Sequence, residues 1–329
     1  MAISASELKL YKSVTNSDSG SNGGRMSTTQ VVTGVANNLF PNVTNTQRTS
    51  GITRYRKAWL KNTNSEGRSL DNTYLWIRTL TQAGDYLRLH AGTNTDTQSD
   101  ATAYTGWKGS GVANAVITGG SDTTLDVLAD AATGFNNGDI VHISDGVNEE
   151  FITLDSTSGV SWAGSVATLT IADGATVENS YSSGTGTIIG ACVNLGSIDS
   201  SSSLWSETNI HSGTYDETTY PLVTYNEGTV EDTWTLTFTG SGAFSVSGSV
   251  TGSVGSGTTS SDFQPANGSS YYFKIDKDGW SGTWTTGDSI TFATHHAAKS
   301  IWIKEIVPAG CASYSNNKPQ IGIYGESGA

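Results

Sequence analysis

The hexapeptide TWTLTF, Thr233 to Phe238, carries the reading of the fold. Threonine alternates with Trp234, Leu236 and Phe238, so an extended backbone puts three large apolar side chains on one face and three hydroxyls on the other. A helix would scatter the same residues around its circumference. The period of two recurs outward along the chain in GDIVHI (Gly138 to Ile143), EFITL (Glu150 to Leu154), ATLTI (Ala167 to Ile171), YYFKI (Tyr271 to Ile275), DSITF (Asp288 to Phe292) and SIWIKEIV (Ser300 to Val307). Turn formers such as GSGAF, GSGTT and KDGW lie between such runs. Helical candidates reduce to Ser6–Lys12 and Leu125–Ala132. The expectation is an all-β protein of β-sandwich modules, Ig-like or jelly-roll-like, with less than ~15% helix.

Composition agrees with a folded chain. Only 14% of the 329 residues are charged, yet nine Trp and thirteen Tyr are present, a supply of aromatic surface that disordered chains lack. Cys192 and Cys311 are too few and too far apart for a disulfide framework. The start, MAISASELKLYKS, has no basic region followed by an apolar core, and no run approaches the ~18 apolar residues of a membrane helix. A soluble product of the cytoplasm is expected.

Charge divides the chain. Residues 1–90 hold eleven of the seventeen Lys and Arg but five of the thirty Asp and Glu, and no Lys or Arg occurs between Lys108 and Lys274. The Gly-rich run after Trp107 and the connector SIDSSSSLWSE then suggest three blocks: a basic β segment, 1–109; an inserted acidic β module, 110–192; and a C-terminal β block, 193–329. The first and third are expected to pack as one interrupted sandwich. NNGDIVHISDG and TTGDSITFATH echo one another, either as traces of a duplicated module or as a common way of entering a strand through a Gly-Asp turn.

Within the basic segment, SGITRYRKAWLKN (Ser50 to Asn62) gathers cations beside aromatics. Arg48, Arg54, Tyr55, Arg56, Lys57, Trp59 and Lys61 form a candidate interface, because Arg, Tyr and Trp are the usual anchors of protein contacts. The plainer alternative is a strand with Tyr55 and Trp59 in the core and the arginines in water. A nucleic-acid site is disfavoured by the acidic remainder.

Motifs with chemistry are sparse. DKDGW (Asp276 to Trp280) has its glycine too early for a calcium loop, and consecutive His295 and His296 point to opposite faces of a strand. GSVGSG (Gly252 to Gly257) and GTGTIIG (Gly184 to Gly190) lack the context of a phosphate cradle, and GESG (Gly325 to Gly328) stops short of a nucleophile elbow. No catalytic, cofactor or metal residue is expected, and no cofactor.

SELKLYKS, SNGGRMS, NNLFPNVTNTQRTSGITRYRKAWLKN, VTGSVGSGTTSSDFQPANG, YYFKI, WSGTWTTGDSITFATHHAAKSIWIKEIVPAG and IYGESG resemble virion structural proteins of tailed bacteriophages, most closely toward the two ends of the chain. The resemblance implies a non-enzymatic component of the virion at the neck, head-tail junction or tail, made in the host cytoplasm. Its implied partners are portal, neck, tail or capsid subunits and further copies of itself, without membrane. The alternatives are a capsid decoration protein or a receptor- or glycan-binding module of a fibre or spike, with Trp162, Trp205, Trp280 and Trp284 as stacking residues.

Overall fold

The computed structural model describes residues 2–129, 133–206, 212–315 and 317–328. Strands take up 49% of the chain and helix 6%, in agreement with the all-β expectation. Strands join in antiparallel ladders around three separate apolar clusters.

The first cluster lies inside a sandwich. One sheet has five strands in the order Gly23–Val31, Leu8–Thr15, Ile52–Asn62, Ala298–Val307 and Tyr86–Ala91; the other has Val193–Ile198, Leu70–Thr79 and Gln320–Ser327. Ala58, Leu60, Leu87, Leu89, Ile301 and Ile303 from the first sheet meet Leu75, Ile77, Val193 and Ile198 from the second. Ile52–Asn62 is the middle strand, and it pairs with Ala298–Val307 from Ile52↔Val307 to Lys61↔Ala298 without interruption. Residues almost 250 apart in sequence thus share one ladder.

The second cluster draws its buried members from Ala113 to Ala191. Its sheet runs Val160–Ala163, Val166–Thr170, Thr124–Ala129, Ser110–Ala113, Gly184–Ala191, Ile140–Ser144, Glu149–Thr153. Leu154, just past the last strand, bridges Ile171 beside the second, so the sheet curls into a partly open barrel. The chain enters and leaves at neighbouring points, where the Ala191 amide donates to the Gly109 carbonyl at 2.8 Å.

The third cluster is aromatic. TWTLTF lies in the middle of a sheet ordered Ser202–Ser206, Ser289–His295, Asp232–Phe238, Ala243–Gly248, Gly252–Thr258. Trp234, Leu236 and Phe238 point inward against Phe244, Phe273, Trp284 and Phe292, while the alternating threonines face away, as period-two sequence requires. The residues from about 200 to 296 therefore surround a core of their own. Of the C-terminal block, Val193–Ile198, Ala298–Val307 and Gln320–Ser327 are the strands that join the sandwich.

Three local expectations are corrected. Ser6–Lys12 holds a single 3-10 turn, Ala5–Glu7, and then enters a strand, because Leu8 and Leu10 alternate toward the sandwich core. Leu125–Ala129 is strand, with Leu125 and Val127 inward, while 130–132 lie outside the described residues. Tyr271–Ile275 is no continuous strand: after Ser270–Tyr271 the segment crosses the third core through single bridges, Val223↔Lys274 and Phe263↔Ile275. The echo resolves at the level of a turn. Asp139 accepts from the Asn136 amide and Asp288 from the Thr285 amide, each at 2.9 Å, so the same four-residue turn, closed by an Asp side chain onto the amide three residues before it, opens a strand in two sheets of different order.

Candidate functional site

The basic cluster finds its partners within its own chain. Arg54 is 2% exposed and forks onto Glu305, its direct cross-strand neighbour, with Nε to Oε2 at 2.6 Å, while Nη1 donates to the Pro41 carbonyl at 2.9 Å. Arg56, equally buried, reaches the Asp18 carboxylate at 2.6 Å and the Ser17 carbonyl at 2.8 Å. The Phe40 ring lies against both guanidinium groups, at 5.5 and 5.2 Å. On the opposite face Lys57 meets Asp96 at 2.5 Å and donates to the Gly24 carbonyl at 2.7 Å. Lys61 donates to the Glu227 carbonyl at 2.8 Å, in the third module. Trp59 is fully buried, edge-on to His296 at 5.2 Å, and half-buried Tyr55 packs on Trp107. Arg48 ties the Cys311 carbonyl at 2.8 Å to Asn45 Oδ1.

The expectation of an outward docking face for Arg54, Arg56, Lys57, Trp59 and Lys61 is therefore corrected, and so is the picture of solvated arginines. The middle strand is covered on both faces, which no property of the strand itself announces. Each partner lies far away along the chain.

Asp96 organises the covered outer face. Besides Lys57 it accepts from Tyr104 at 2.6 Å and from the indole of Trp302 at 2.7 Å. Burial pushes the Asp96 carboxyl up, but the bonds from Lys57, Tyr104 and Trp302 together outweigh it and hold the group below the usual carboxylate range. Gly23 makes this packing possible. Its φ is 110°, and a Cβ there would come within 2.8 Å of both the Trp302 ring and the Asp96 carbonyl.

Burial has a measurable effect at Lys61, whose pKa falls to about 8. Lys304, over the Trp107 ring at 4.2 Å, is drawn to about 8 by the same cause. Between about pH 8 and pH 10 an unfolded chain keeps protons that these folded lysines have released, so stability is expected to rise with pH across that window. From about pH 9 Cys192 and from about pH 10 Tyr215, both pushed up to about 12 by burial, act in the opposite direction, so the rise is expected chiefly between about pH 8 and pH 9. Urea unfolding at successive pH values checks this: Lys61→Met should remove part of the rise, and a flat profile in the parent protein would contradict the assignment.

The four tryptophans considered for stacking are structural. Trp284 is buried, stacked on Phe238 at 4.2 Å; Trp205 stacks on Tyr215 and Phe292; Trp280 packs on Tyr215; Trp162 lies against Phe135. His295 pairs with Glu231 at 3.0 Å while His296 is turned inward. Among the described residues no group of three or more His, Cys, Asp or Glu is placed to hold a metal ion, and no helix is long and apolar enough to cross a membrane.

A cleft opens where the sandwich meets the barrel. Tyr74, Trp76 and Arg78 alternate on the outer face of Leu70–Thr79, beside Gly322 and Tyr324 of the neighbouring strand. Trp76 rests on the bare backbone of Gly322, where a Cβ would come within 2.4 Å of the indole, and stacks on His142 of the barrel at 4.2 Å. Phe151 closes edge-on at 5.4 Å. Burial draws the His142 pKa below its ordinary value, opposed by Glu149 3.5 Å away. On one side of this contact lies a cavity of about 370 Å³, lined by Arg78, Gln320, Ser144 and Asp145 among others. On the other lie the rings of Tyr74, Phe151 and Tyr324. Nothing in the sequence linked these strands, which belong to different modules. Compared with models of known protein families, with curated proteins and with solved structures, the chain finds no match.

Proposed function

We propose that this chain is a non-enzymatic structural component of a tailed-phage virion, at the neck or tail, carried in several copies. The observation that supports this reading most is the base of the molecule. The parts of the sequence that resemble virion proteins supply both Ile52–Asn62 and Ala298–Val307, and these strands knit into one uninterrupted ladder from which two further modules branch in sequence. Such an arrangement suits a protein fixed by a rigid base while other modules face outward. The buried cations are spent on internal contacts, so attachment to neighbours uses surfaces other than the Arg54 face. The test is mass spectrometry and immunogold labelling of density-purified particles. The chain should band with intact virions in several copies and label the neck or tail. Recovery only in the soluble fraction of the lysate would overturn the proposal.

A further inference from the structure

The geometry points to the seam between sandwich and barrel as a binding site for a neutral oligosaccharide. This goes beyond the structural role and stands or falls independently of it. The seam has two parts with complementary chemistry. Tyr74, Phe151 and Tyr324 lie with ring centroids 5.2 to 6.3 Å apart, and Phe151 and Tyr324 are each 39% exposed. A contiguous cluster of part-exposed aromatic rings at a junction of two modules marks a contact surface, and such rings match the C–H face of a pyranose.

The cleft beyond Trp76 supplies the polar half. Its volume of about 370 Å³ falls in the range of small-molecule sites. Four side chains there retain hydrogen-bonding capacity. Arg78 is exposed, and no described residue pairs with it. Gln320 uses Oε1 to accept from Thr79 at 3.1 Å and keeps its amide hydrogens. Ser144 accepts from the Gly146 amide and keeps its hydroxyl proton. Asp145 Oδ1 is occupied by the Val147 and Asn148 amides, which leaves Oδ2. Donors from Arg78 and Gln320 beside one carboxylate acceptor suit a pair of vicinal hydroxyls, each of which both donates and accepts.

Spacing joins the two halves. Tyr74 and Arg78 are four residues apart on one strand face, roughly 13 Å, so a short oligosaccharide lying across the outside of the Trp76–His142 contact reaches both. Neutrality follows from the lining, where the charges of Arg78 and Asp145 offset one another, and from the acidic segment around it, since between Lys108 and Lys274 the chain has eighteen acidic residues and no Lys or Arg. An anionic sugar would be repelled on approach.

The experiment titrates the full chain with a panel of neutral di- to tetrasaccharides built from glucose, galactose, mannose and N-acetylglucosamine, followed by saturation-transfer NMR. At least one series should bind. Tyr324→Ala and Arg78→Ala should each weaken that binding about tenfold or more while leaving the unfolding midpoint nearly unchanged, and Tyr314→Ala, at an exposed ring elsewhere, should bind as the parent does. Failure of every sugar in the panel to bind would overturn the inference, as would binding that survives both seam variants or a preference for uronic or sialic acids.

Discussion

Asp96→Ala is expected to cost about 3–5 kcal/mol of unfolding free energy. The change leaves the Lys57 ammonium, wholly buried and 2.5 Å from the lost carboxylate, with no counter-charge in contact, only the carbonyls of Gly24 and residue 96 and the Trp59 ring. It also orphans the Tyr104 hydroxyl and the Trp302 indole N–H, both of which donate to the same oxygen. A companion variant separates the pair from its packing. Lys57→Met together with Asp96→Leu removes both charges and should recover the part of the loss that comes from the unpaired ammonium, while the part from the Tyr104 and Trp302 donors remains. Chemical denaturation of the three proteins measures the difference. A cost below about 1 kcal/mol for Asp96→Ala would mean that water reaches Lys57 and that the outer face of the sandwich is open.

Trp234→Ala is expected to be of similar size, about 3–5 kcal/mol, for an apolar reason. Trp234 has no exposed surface, contacts the Tyr272, Phe273 and Phe292 rings, and gives its indole N–H to Thr294 Oγ1 at 2.8 Å. The vacated space is walled by close-packed aromatic rings, of which Phe292 is held in a ladder, so it collapses only in part. Because the third module has its own cluster, the loss should stay local. Thermal unfolding of the variant should split, with an early transition from the segment around residues 200–296 and a later one at the parent temperature. A single transition shifted as a whole would show instead that the three cores melt as one.

The strands themselves were legible because alternation is a local property. Thr233 to Phe238 and Ser300 to Val307 each declare which residues face inward, and the structure places Trp234, Leu236, Ile301 and Ile303 there. The turn chemistry was legible too, since Gly138-Asp139 and Gly287-Asp288 set their bonds within four residues. What escaped reading was non-local. Arg54 and Glu305 are 251 positions apart, and nothing near Arg54 indicates that a carboxylate will stand opposite it. Charge content alone suggested a surface, whereas pairing made it an interior. The separate core of the third module was hidden for a related reason. Composition runs on smoothly through residues 193–329, and only the return of Ala298–Val307 to the sandwich divides that stretch. The seam with Trp76, His142 and Phe151 depends on docking between two modules, which sequence periodicity does not encode.

The ladder between Ile52–Asn62 and Ala298–Val307 fixes an order of events during synthesis. Loops of this length close slowly, and their contacts reward the chain only after the entropy of closure has been met. As the chain leaves the ribosome, the barrel has all its strands in hand, the last being Gly184–Ala191, long before Glu305 is made, and the third module gains its last, Ser289–His295, just ahead of it. Arg54 must wait for it. Until then the early strands lack their central neighbour, and a chain truncated before residue 298 has a sandwich that cannot be completed. Interrupted translation products are thereby left with an unfinished sandwich, and only chains whose last strands have arrived reach the complete fold.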